Sequence, residues 1–137
     1  MAVVSVIRVA QFNSAHRLHR ADWSDEQNKM VFGLCSLPNY HGHNYKLELK
    51  VTGEIDAETG YVIDLSILKK LIDDEVMETF DHRNLNLDTI EFKNLNPTAE
   101  NIAVVIYNKL KKRLPKNLQL QIRLHETERN IVEYSGQ

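Results

Sequence analysis

Histidine is concentrated in the first third of this 137-residue chain, which holds four of its six histidines. His41 and His43 are two positions apart just before an alternating apolar and polar segment, so an extended chain projects both imidazoles from one face. Their odd positions share the phase of the apolar residues that follow, which predicts that both face the core. Neutral imidazole is a common zinc ligand. For this spacing alone, a chance pair bonded to backbone carbonyls is an equally good interpretation.

A third histidine, His16, lies at the end of the preceding predicted strand. If the first two strands pair antiparallel, residues 12–16 lie beside residues 41–44, and residues 17–40 form an excursion between them. His16 then arrives next to the other two histidines. Three neutral imidazoles on strands match the open catalytic zinc arrangement, in which the fourth position is left for water or substrate. All-nitrogen tetrahedral ligation favours zinc over cobalt or iron.

Cys35 is the only cysteine of the chain, and it precedes His41 by six residues. The surrounding residues 32–39 include Gly33 and Pro38, which predicts a loop against the metal pocket. A thiol near a divalent cation has a lowered pKa, and its thiolate can act as a general base or a nucleophile. The more common fate of a lone cysteine is an inert, buried small side chain.

Two carboxylates are further candidates for chemistry. Asp81 precedes His82, and a carboxylate close to an imidazole can hold its tautomer and stabilise its protonated form. Adjacent residues rarely bond side chain to side chain, so a helix-ending turn is the alternative. Glu126 continues the even, apolar phase of the strand before it, so its carboxylate needs hydrogen-bond donors. Backbone amides could supply them, as could a ligand with two adjacent N–H groups, such as a pterin or a guanine.

Hydrophobic periodicity predicts the elements that must position these groups. Period-two alternation and β-branched residues predict four strands, and apolar residues at three- and four-residue spacing predict two helices between the strand pairs. The first helix follows an Asp64 N-cap, and the second begins with an Asn96 cap and Pro97. The predicted strands are residues 3–12, 45–52, 118–125 and 130–134, and the predicted helices are residues 65–80 and 97–114. The order β-β-α-α-β-β indicates an α+β fold, with an antiparallel sheet covered on one face by two helices.

Composition narrows the class of protein. The chain is 42% hydrophobic and 26% charged, with a net charge of −2, which is typical of a globular domain and argues against a general nucleic-acid binder. No apolar run approaches the roughly 20 residues of a membrane span. No basic leader with a long hydrophobic region marks the protein for export, so a cytoplasmic location is expected. Without repeats or linkers, residues 1–137 are expected to form one domain.

Together these residues resemble the 6-pyruvoyl-tetrahydropterin synthase family, which includes the 6-carboxytetrahydropterin synthases of queuosine biosynthesis. The resemblance runs in order and with the family's spacing from about residue 12 to residue 134. Its motifs are Phe12-Asn13-Ser14-Ala15-His16-Arg17-Leu18, Cys35 followed after five residues by His41-Gly42-His43-Asn44-Tyr45, Gly53-Glu54-Ile55-Asp56 through Gly60, Asp81-His82 with Asn84-Leu85-Asn86, Pro97-Thr98 with Glu100-Asn101, and Glu126-Thr127.

The resemblance implies the tetrahydrobiopterin-synthase fold (T-fold), a four-stranded antiparallel sheet with two helices on one face. It also implies assembly through sheet edges into trimers and then a homohexamer, with active sites at subunit interfaces. By position, it implies that His16, His41 and His43 hold a catalytic Zn2+. The family is not expected to bind nucleic acid or membranes.

The resemblance implies further roles around the substrate. Cys35 would be the proton-transferring thiol, and Asp81 and His82 would complete an acid–base relay. Glu126 would anchor the pterin ring. Zinc would act as a Lewis acid on side-chain oxygens, acidifying neighbouring C–H bonds for proton abstraction by the thiol.

The implied substrate is 7,8-dihydroneopterin triphosphate, with Thr98 and Glu100 matching positions near the pterin pocket. The five residues between Cys35 and His41 favour the pyruvoyl-forming reaction, with triphosphate elimination. The 6-carboxytetrahydropterin reaction, which releases acetaldehyde and triphosphate from the same substrate, is the alternative. From the residues alone, a zinc hydrolase using His82 as proton shuttle and a non-catalytic pterin- or purine-binding module also stay open.

Overall fold

The computed structural model describes residues 2–137, which form one sheet with helices on one face. The five strands are β1 (Val3–His16), β2 (His41–Glu54), β3 (Arg83–Asn84), β4 (Gln119–His125) and β5 (Ile131–Tyr134). Their order in the sheet is β3-β1-β2-β4-β5. Neighbouring strands among β1, β2, β4 and β5 pair antiparallel, and β3 pairs parallel with β1.

Five α-helices connect these strands, together with one 3-10 turn, which is wound more tightly than an α-helix, and one π-helical turn, which is wider. Cys35 lies in a 3-10 turn, Gly33–Ser36, and a π-helical turn, Asp73–Met77, continues the second helix. The helices are α1 (Asp25–Phe32), α2 (Leu65–Ile72), α3 (Glu78–Phe80), α4 (Leu85–Asp88) and α5 (Ala99–Lys111). None of the helices in residues 2–137 is long and apolar enough to cross a membrane.

The alternation in β2 explains which side chains fill the core. Its odd-numbered residues from Tyr45 to Val51 are fully buried. The register sets Leu47 opposite Leu124 of β4 and opposite Ala10 of β1, so the buried positions of three strands share one face. This face packs against the helices, as the period-two pattern predicts.

The first predicted helix, residues 65–80, is helical throughout. Asp64 caps it by accepting a hydrogen bond from the Ser66 amide at 2.9 Å. Leu68, Ile72 and Val76 are buried at the predicted three- and four-residue spacing. The π-helical turn adds one wider turn within this run, which the sequence pattern did not indicate.

The second predicted helix begins and ends differently from the prediction. Thr98, not Asn96, is its N-cap, because the Thr98 hydroxyl accepts a hydrogen bond from the Asn101 amide at 3.1 Å. The Asn96 carbonyl instead accepts from the Asn101 side chain at 2.8 Å. The helix ends at Lys111 rather than at residue 114.

The α+β class and the four predicted antiparallel strands are confirmed, and the structure adds a short fifth strand. Strand β3 has only two residues, too few for any periodic pattern. Helix α1 was also missed, because Asn28 is its only buried residue and its apolar side chains make no regular stripe. The segment predicted as a loop, residues 32–39, instead contains the end of α1 and the 3-10 turn.

Candidate functional site

Three histidines meet where β1 ends and β2 begins. The strand register places His16 directly opposite His41, and Ser14 opposite His43, so the three imidazoles share the core-facing side of the sheet. One potential ligand atom from each ring lies within 4.8 Å of the others. The antiparallel pairing predicted for these strand ends is therefore what brings the histidines together.

The tautomer of His16 follows from its backbone partner. Its Nδ1 lies 2.7 Å from the Pro97 carbonyl oxygen, which can only accept, so Nδ1 carries the proton and donates it. This leaves the Nε2 lone pair free. A hydrogen bond of this kind on the far side of the ring is the usual support for a metal-binding imidazole.

The Nε2 atoms of His16, His41 and His43 are buried and have no hydrogen-bond partner within residues 2–137. Buried polar atoms are normally paired, so three neighbouring orphaned nitrogens point to a missing common partner. A divalent cation satisfies all three lone pairs at once. The donor set, all imidazole nitrogen, fits zinc and leaves a position open for a ligand.

The surroundings of His16 and His41 favour the neutral imidazole, which is the form that binds metal. Burial, together with the neighbouring His41 and His43, lowers the pKa of His16 to about 4, although the hydrogen bond to Pro97 opposes the shift. Burial and the neighbouring His43 also lower the pKa of His41. A proton therefore competes less for the nitrogens of His16 and His41 than for those of an ordinary histidine.

Cys35 lies in the 3-10 turn, where its carbonyl accepts a hydrogen bond from the Leu18 amide at 2.8 Å. Its side chain is partly exposed. Burial, and secondarily the Glu126 carboxylate, raise the pKa of the thiol above its ordinary value. Within the protein alone the thiol is therefore protonated at neutral pH.

Glu126 follows β4 and lies half-buried at the core-facing edge of the sheet. Its amide donates to the Asn130 carbonyl at 3.0 Å, but its carboxylate makes no hydrogen bond within residues 2–137. The charge on that carboxylate adds to burial in raising the pKa of Cys35 and of Tyr45, and it opposes the lowering of the His41 pKa by burial. Of the two alternatives, backbone amides do not satisfy this group within residues 2–137, so the carboxylate stays available to a ligand.

Asp81 and His82 are in contact, against the expectation for adjacent residues. The Asp81 carboxylate lies 3.0 Å from His82 Nδ1 and accepts a hydrogen bond from the Asn13 amide at 2.9 Å. The Asn13 amide, and to a lesser extent His82, lower the pKa of Asp81. The His82 amide in turn donates to the Asn13 carbonyl, which ties the end of α3 to the edge of β1.

His82 has a backbone φ of 60°, a left-handed conformation that is uncommon for a residue with a side chain. Its side chain is 82% exposed. Within residues 2–137 we find no hydrogen bond between His82 and Cys35 or the three clustered histidines. Within one chain, the Asp81–His82 pair is therefore joined to Asn13 of β1 and not by hydrogen bonds to the other site residues.

Thr98 and Glu100 lie at the start of α5. The Thr98 hydroxyl is used as the helix cap, and Glu100 is exposed in the first turn. Thr98 follows Pro97, whose carbonyl holds His16, so the cap and the histidine cluster are neighbours. Within residues 2–137, the Glu100 carboxylate makes no hydrogen bond to the cluster.

The sequence pattern assigned no role at the site to Pro97 or to Tyr45. Pro97 acts through its carbonyl, which has no signature in a side-chain pattern. The Tyr45 hydroxyl lies 3.4 Å from His16 Nδ1, and its ring stacks on Phe12 at 4.9 Å. The position of Tyr45 beside the histidines could have been predicted, because residues 41, 43 and 45 lie on the same face of an extended strand.

A model of the 6-pyruvoyl tetrahydropterin synthase family matches residues 5–137. The chain belongs to this family. A Poecilia reticulata protein named 6-pyruvoyl tetrahydrobiopterin synthase is 47% identical to this chain over 132 residues, which cover 96% of this chain and 90% of that protein. The Homo sapiens protein of the same name is 43% identical over 132 residues, which cover 96% of this chain and 91% of that protein.

A solved structure of a 6-pyruvoyl tetrahydropterin synthase is also similar. The Caenorhabditis elegans protein matches with a TM-score of 0.93 and 42% identity, covering 100% of this chain and 98% of that one. The resemblance, the T-fold and the expectation of a lyase of the 6-pyruvoyl tetrahydropterin synthase family are therefore confirmed.

Proposed function

We propose that the chain is a zinc-dependent enzyme that converts 7,8-dihydroneopterin triphosphate to 6-pyruvoyl-tetrahydropterin with elimination of triphosphate. The observation that carries the proposal is the group of three orphaned imidazole nitrogens in a chain of the 6-pyruvoyl tetrahydropterin synthase family. The reaction needs no external oxidant or reductant, because the pterin ring gains the electrons that its side chain loses.

His16, His41 and His43 would hold the zinc ion, and their clustered Nε2 atoms, buried without a hydrogen-bond partner within residues 2–137, support this role. When bound, zinc supplies Lewis-acid polarisation of an oxygen, which acidifies the adjoining C–H bond. The His16 ring is oriented for this by its hydrogen bond to Pro97.

Cys35 would be the general base that takes protons from the substrate side chain. The Glu126 carboxylate raises the thiol pKa in the free enzyme. Adjacent N–H groups of a pterin ring would donate to that carboxylate, because a carboxylate can accept both in a bidentate arrangement. The carboxylate would keep its charge, but the N–H dipoles would offset part of its effect on the thiol, so Glu126 would both anchor the pterin and link binding to the state of Cys35.

Asp81 and His82 would complete the acid–base relay as an assembled pair. The Asp81 carboxylate favours the protonated form of His82, which could return a proton to the substrate. Because the His82 side chain points into solvent, we propose that the pair serves an active site formed with another copy of the chain.

A homohexamer built as a dimer of trimers would supply that copy. Within residues 2–137, β3 covers only Ser14 and Ala15 of the outer edge of β1, which leaves the rest of that edge unpaired. The open face of β1 also exposes Val3, Ile7 and Val9. An unpaired edge beside exposed apolar side chains is typical of a strand that pairs with a second chain.

Thr98 and Glu100 would lie near the pterin pocket. Thr98 would act there through the start of α5, since its hydroxyl is engaged as the cap. Glu100 is exposed and free to contact a ligand held between subunits. We further propose a cytoplasmic enzyme with a small-molecule substrate and no nucleic-acid or membrane partner.

The decisive experiment incubates the zinc-loaded protein with 7,8-dihydroneopterin triphosphate and identifies every product by chromatography and mass spectrometry. Triphosphate and 6-pyruvoyl-tetrahydropterin are expected. Acetaldehyde with 6-carboxy-5,6,7,8-tetrahydropterin would instead assign the queuosine-pathway reaction. Release of neither triphosphate nor a tetrahydropterin would reject both reactions.

A Cys35→Ala variant separates this chemistry from a zinc hydrolase. Loss of the general base is expected to slow turnover by about a hundredfold to ten-thousandfold, with unchanged zinc content. A hydrolase that activates water on zinc would keep most of its activity. A binding module would instead retain its pterin affinity after zinc is removed with a chelator.

A further inference from the structure

Cys35 lies in a segment that contributes nothing to the hydrophobic core. Within residues 2–137, the buried apolar side chains of the core run from Phe12 directly to Tyr45, with none between them. Leu34, beside the cysteine, is 78% exposed, and Leu37 is also exposed. Packing against the hydrophobic core therefore does not hold the thiol in place, and the contacts that join the turn to the residues after β1 are polar.

Two such contacts reach the 3-10 turn from the residues that follow β1. The Cys35 carbonyl accepts from the Leu18 amide at 2.8 Å, and the next carbonyl, of Ser36, accepts from Arg17 Nε at 2.7 Å. The Ser36 hydroxyl closes the turn internally by donating to the Gly33 carbonyl at 2.8 Å. The link from Leu18 is a backbone hydrogen bond, whereas the link from Arg17 is made by its side chain and can be removed by substitution.

Arg17 is itself held rigidly. Its amide donates to the Asn86 side-chain oxygen at 2.8 Å, and its carbonyl accepts from the Asn86 side-chain nitrogen at 2.9 Å. Arg17 also follows His16 directly in the chain, and His16 is fixed by Pro97. Arg17 therefore links the histidine cluster, through its peptide bond to His16, with the cysteine turn, through its hydrogen bond to Ser36.

We propose that Arg17 is a positioning residue, whose guanidinium holds the Cys35 turn at a set place relative to the histidine cluster. The inference deepens the proposed function, because it assumes that Cys35 is the general base. Arg17 does not touch the reacting atoms in this role. It acts by limiting the positions that the thiol can take.

Alkylation of Cys35 tests the proposal without any turnover. Cys35 is the only cysteine, so iodoacetamide uptake by the metal-loaded full chain reports on that thiol alone. In Arg17→Met, the released turn is expected to expose the thiol and raise the alkylation rate at least about tenfold, because a hydrogen bond from a charged donor is worth one decade or more in the opening equilibrium. Arg17→Lys, which keeps the charge and one donor, is expected to fall between Arg17→Met and the unmodified protein.

Kinetics give a second readout. Arg17→Met is expected to lower kcat by about tenfold or more with KM for 7,8-dihydroneopterin triphosphate within about threefold. Zinc content should stay at the level of the unmodified protein, since all three histidines are kept. Arg113→Met is the matched control, because the Arg113 guanidinium likewise joins two segments, the turn after α5 and the π-helical turn, by donating to Asp74 at 3.1 Å. It should change neither rate.

Three results would overturn the proposal. Unchanged alkylation in Arg17→Met would mean that the turn holds without the guanidinium. A rise in KM alone, with kcat and alkylation unchanged and KM restored in Arg17→Lys, would assign the positive charge to the substrate triphosphate instead. Equal effects in Arg17→Met and Arg113→Met would indicate general destabilisation. If the unmodified protein shows no turnover, the proposed function fails while the alkylation comparison still decides the position of the turn.

Discussion

The hydroxyl of Thr98 offers a direct test of how the start of α5 supports the histidine cluster. It accepts a hydrogen bond from the Asn101 amide at 3.1 Å, and the Thr98 carbonyl accepts from Ile102 at 2.9 Å. The preceding carbonyl, of Pro97, holds His16. Thr98→Ala removes the cap but leaves every other group of this arrangement in place.

The expected loss follows from what an N-cap contributes. Replacing a threonine cap by alanine costs about 1 kcal/mol, within a range of about 0.5–2 kcal/mol. For a chain of this length that corresponds to a melting temperature lower by about 3–5 °C. Fraying of the first turn also loosens the Pro97 carbonyl, so zinc affinity is expected to fall by up to about tenfold.

Two assays measure these effects at equal protein and zinc concentrations. Thermal unfolding followed by circular dichroism gives the melting temperature, and competition with a chromophoric chelator gives the zinc affinity. Thr98→Ser keeps a capping hydroxyl and is the matched control, expected to lie within about 0.5 kcal/mol of the unmodified protein. KM for the pterin should change by less than about twofold in either variant.

An unchanged melting temperature in Thr98→Ala would refute the capping argument. A rise in KM of tenfold or more without loss of stability would assign the hydroxyl to the substrate instead. That result would restore the interpretation of Thr98 as a direct contact of the pterin pocket.

Three further perturbations test the rest of the site. Removing zinc with a chelator should abolish turnover, and adding zinc back should restore it in full. The free energy of unfolding should be about 4 kcal/mol lower without zinc than with free zinc at a thousand times its Kd. Glu126→Gln should raise KM and shift the pH profile of Cys35 alkylation to lower pH, because the Glu126 charge raises the pKa of the thiol. The Asn13 amide lowers the pKa of Asp81, so Asp81 stabilises the folded state above its ordinary pKa and this contribution is lost as the pH falls through the lowered value. Asp81→Asn should therefore flatten the loss of stability below about pH 4 in urea unfolding.

Period-two alternation made the strand part of the site predictable. It assigned the faces of β2 and β4, and with them the directions of His41, His43 and Glu126. Adding His16 required only that the first two strands pair antiparallel, since both strand ends then meet. The sequence could predict that the two strand ends meet, but only the structure gives the register, in which His16 pairs directly with His41.

Other parts of the site could not be predicted, for separate physical reasons. The Pro97 carbonyl is a backbone group, so no side-chain pattern reports it. The Cys35 turn is held by hydrogen bonds to residues 17 and 18 rather than by apolar packing, and such bonds leave no periodicity. The contact between Asp81 and His82 depends on a left-handed backbone at His82, which is set by its hydrogen bond to Asn13.

These parts differ in how firmly the fold constrains them. His16 is fully buried, lies on a strand next to the core and has its tautomer set by Pro97. Cys35 is placed by a few polar contacts outside the core, and His82 extends into solvent. A metal centre needs fixed lone pairs, because three ligands must meet one ion, whereas a thiol and an imidazole that exchange protons with a substrate need access to it. The decreasing constraint from His16 to His82 therefore matches the order of roles that we propose, from metal ligand to general base to a relay completed by a second chain.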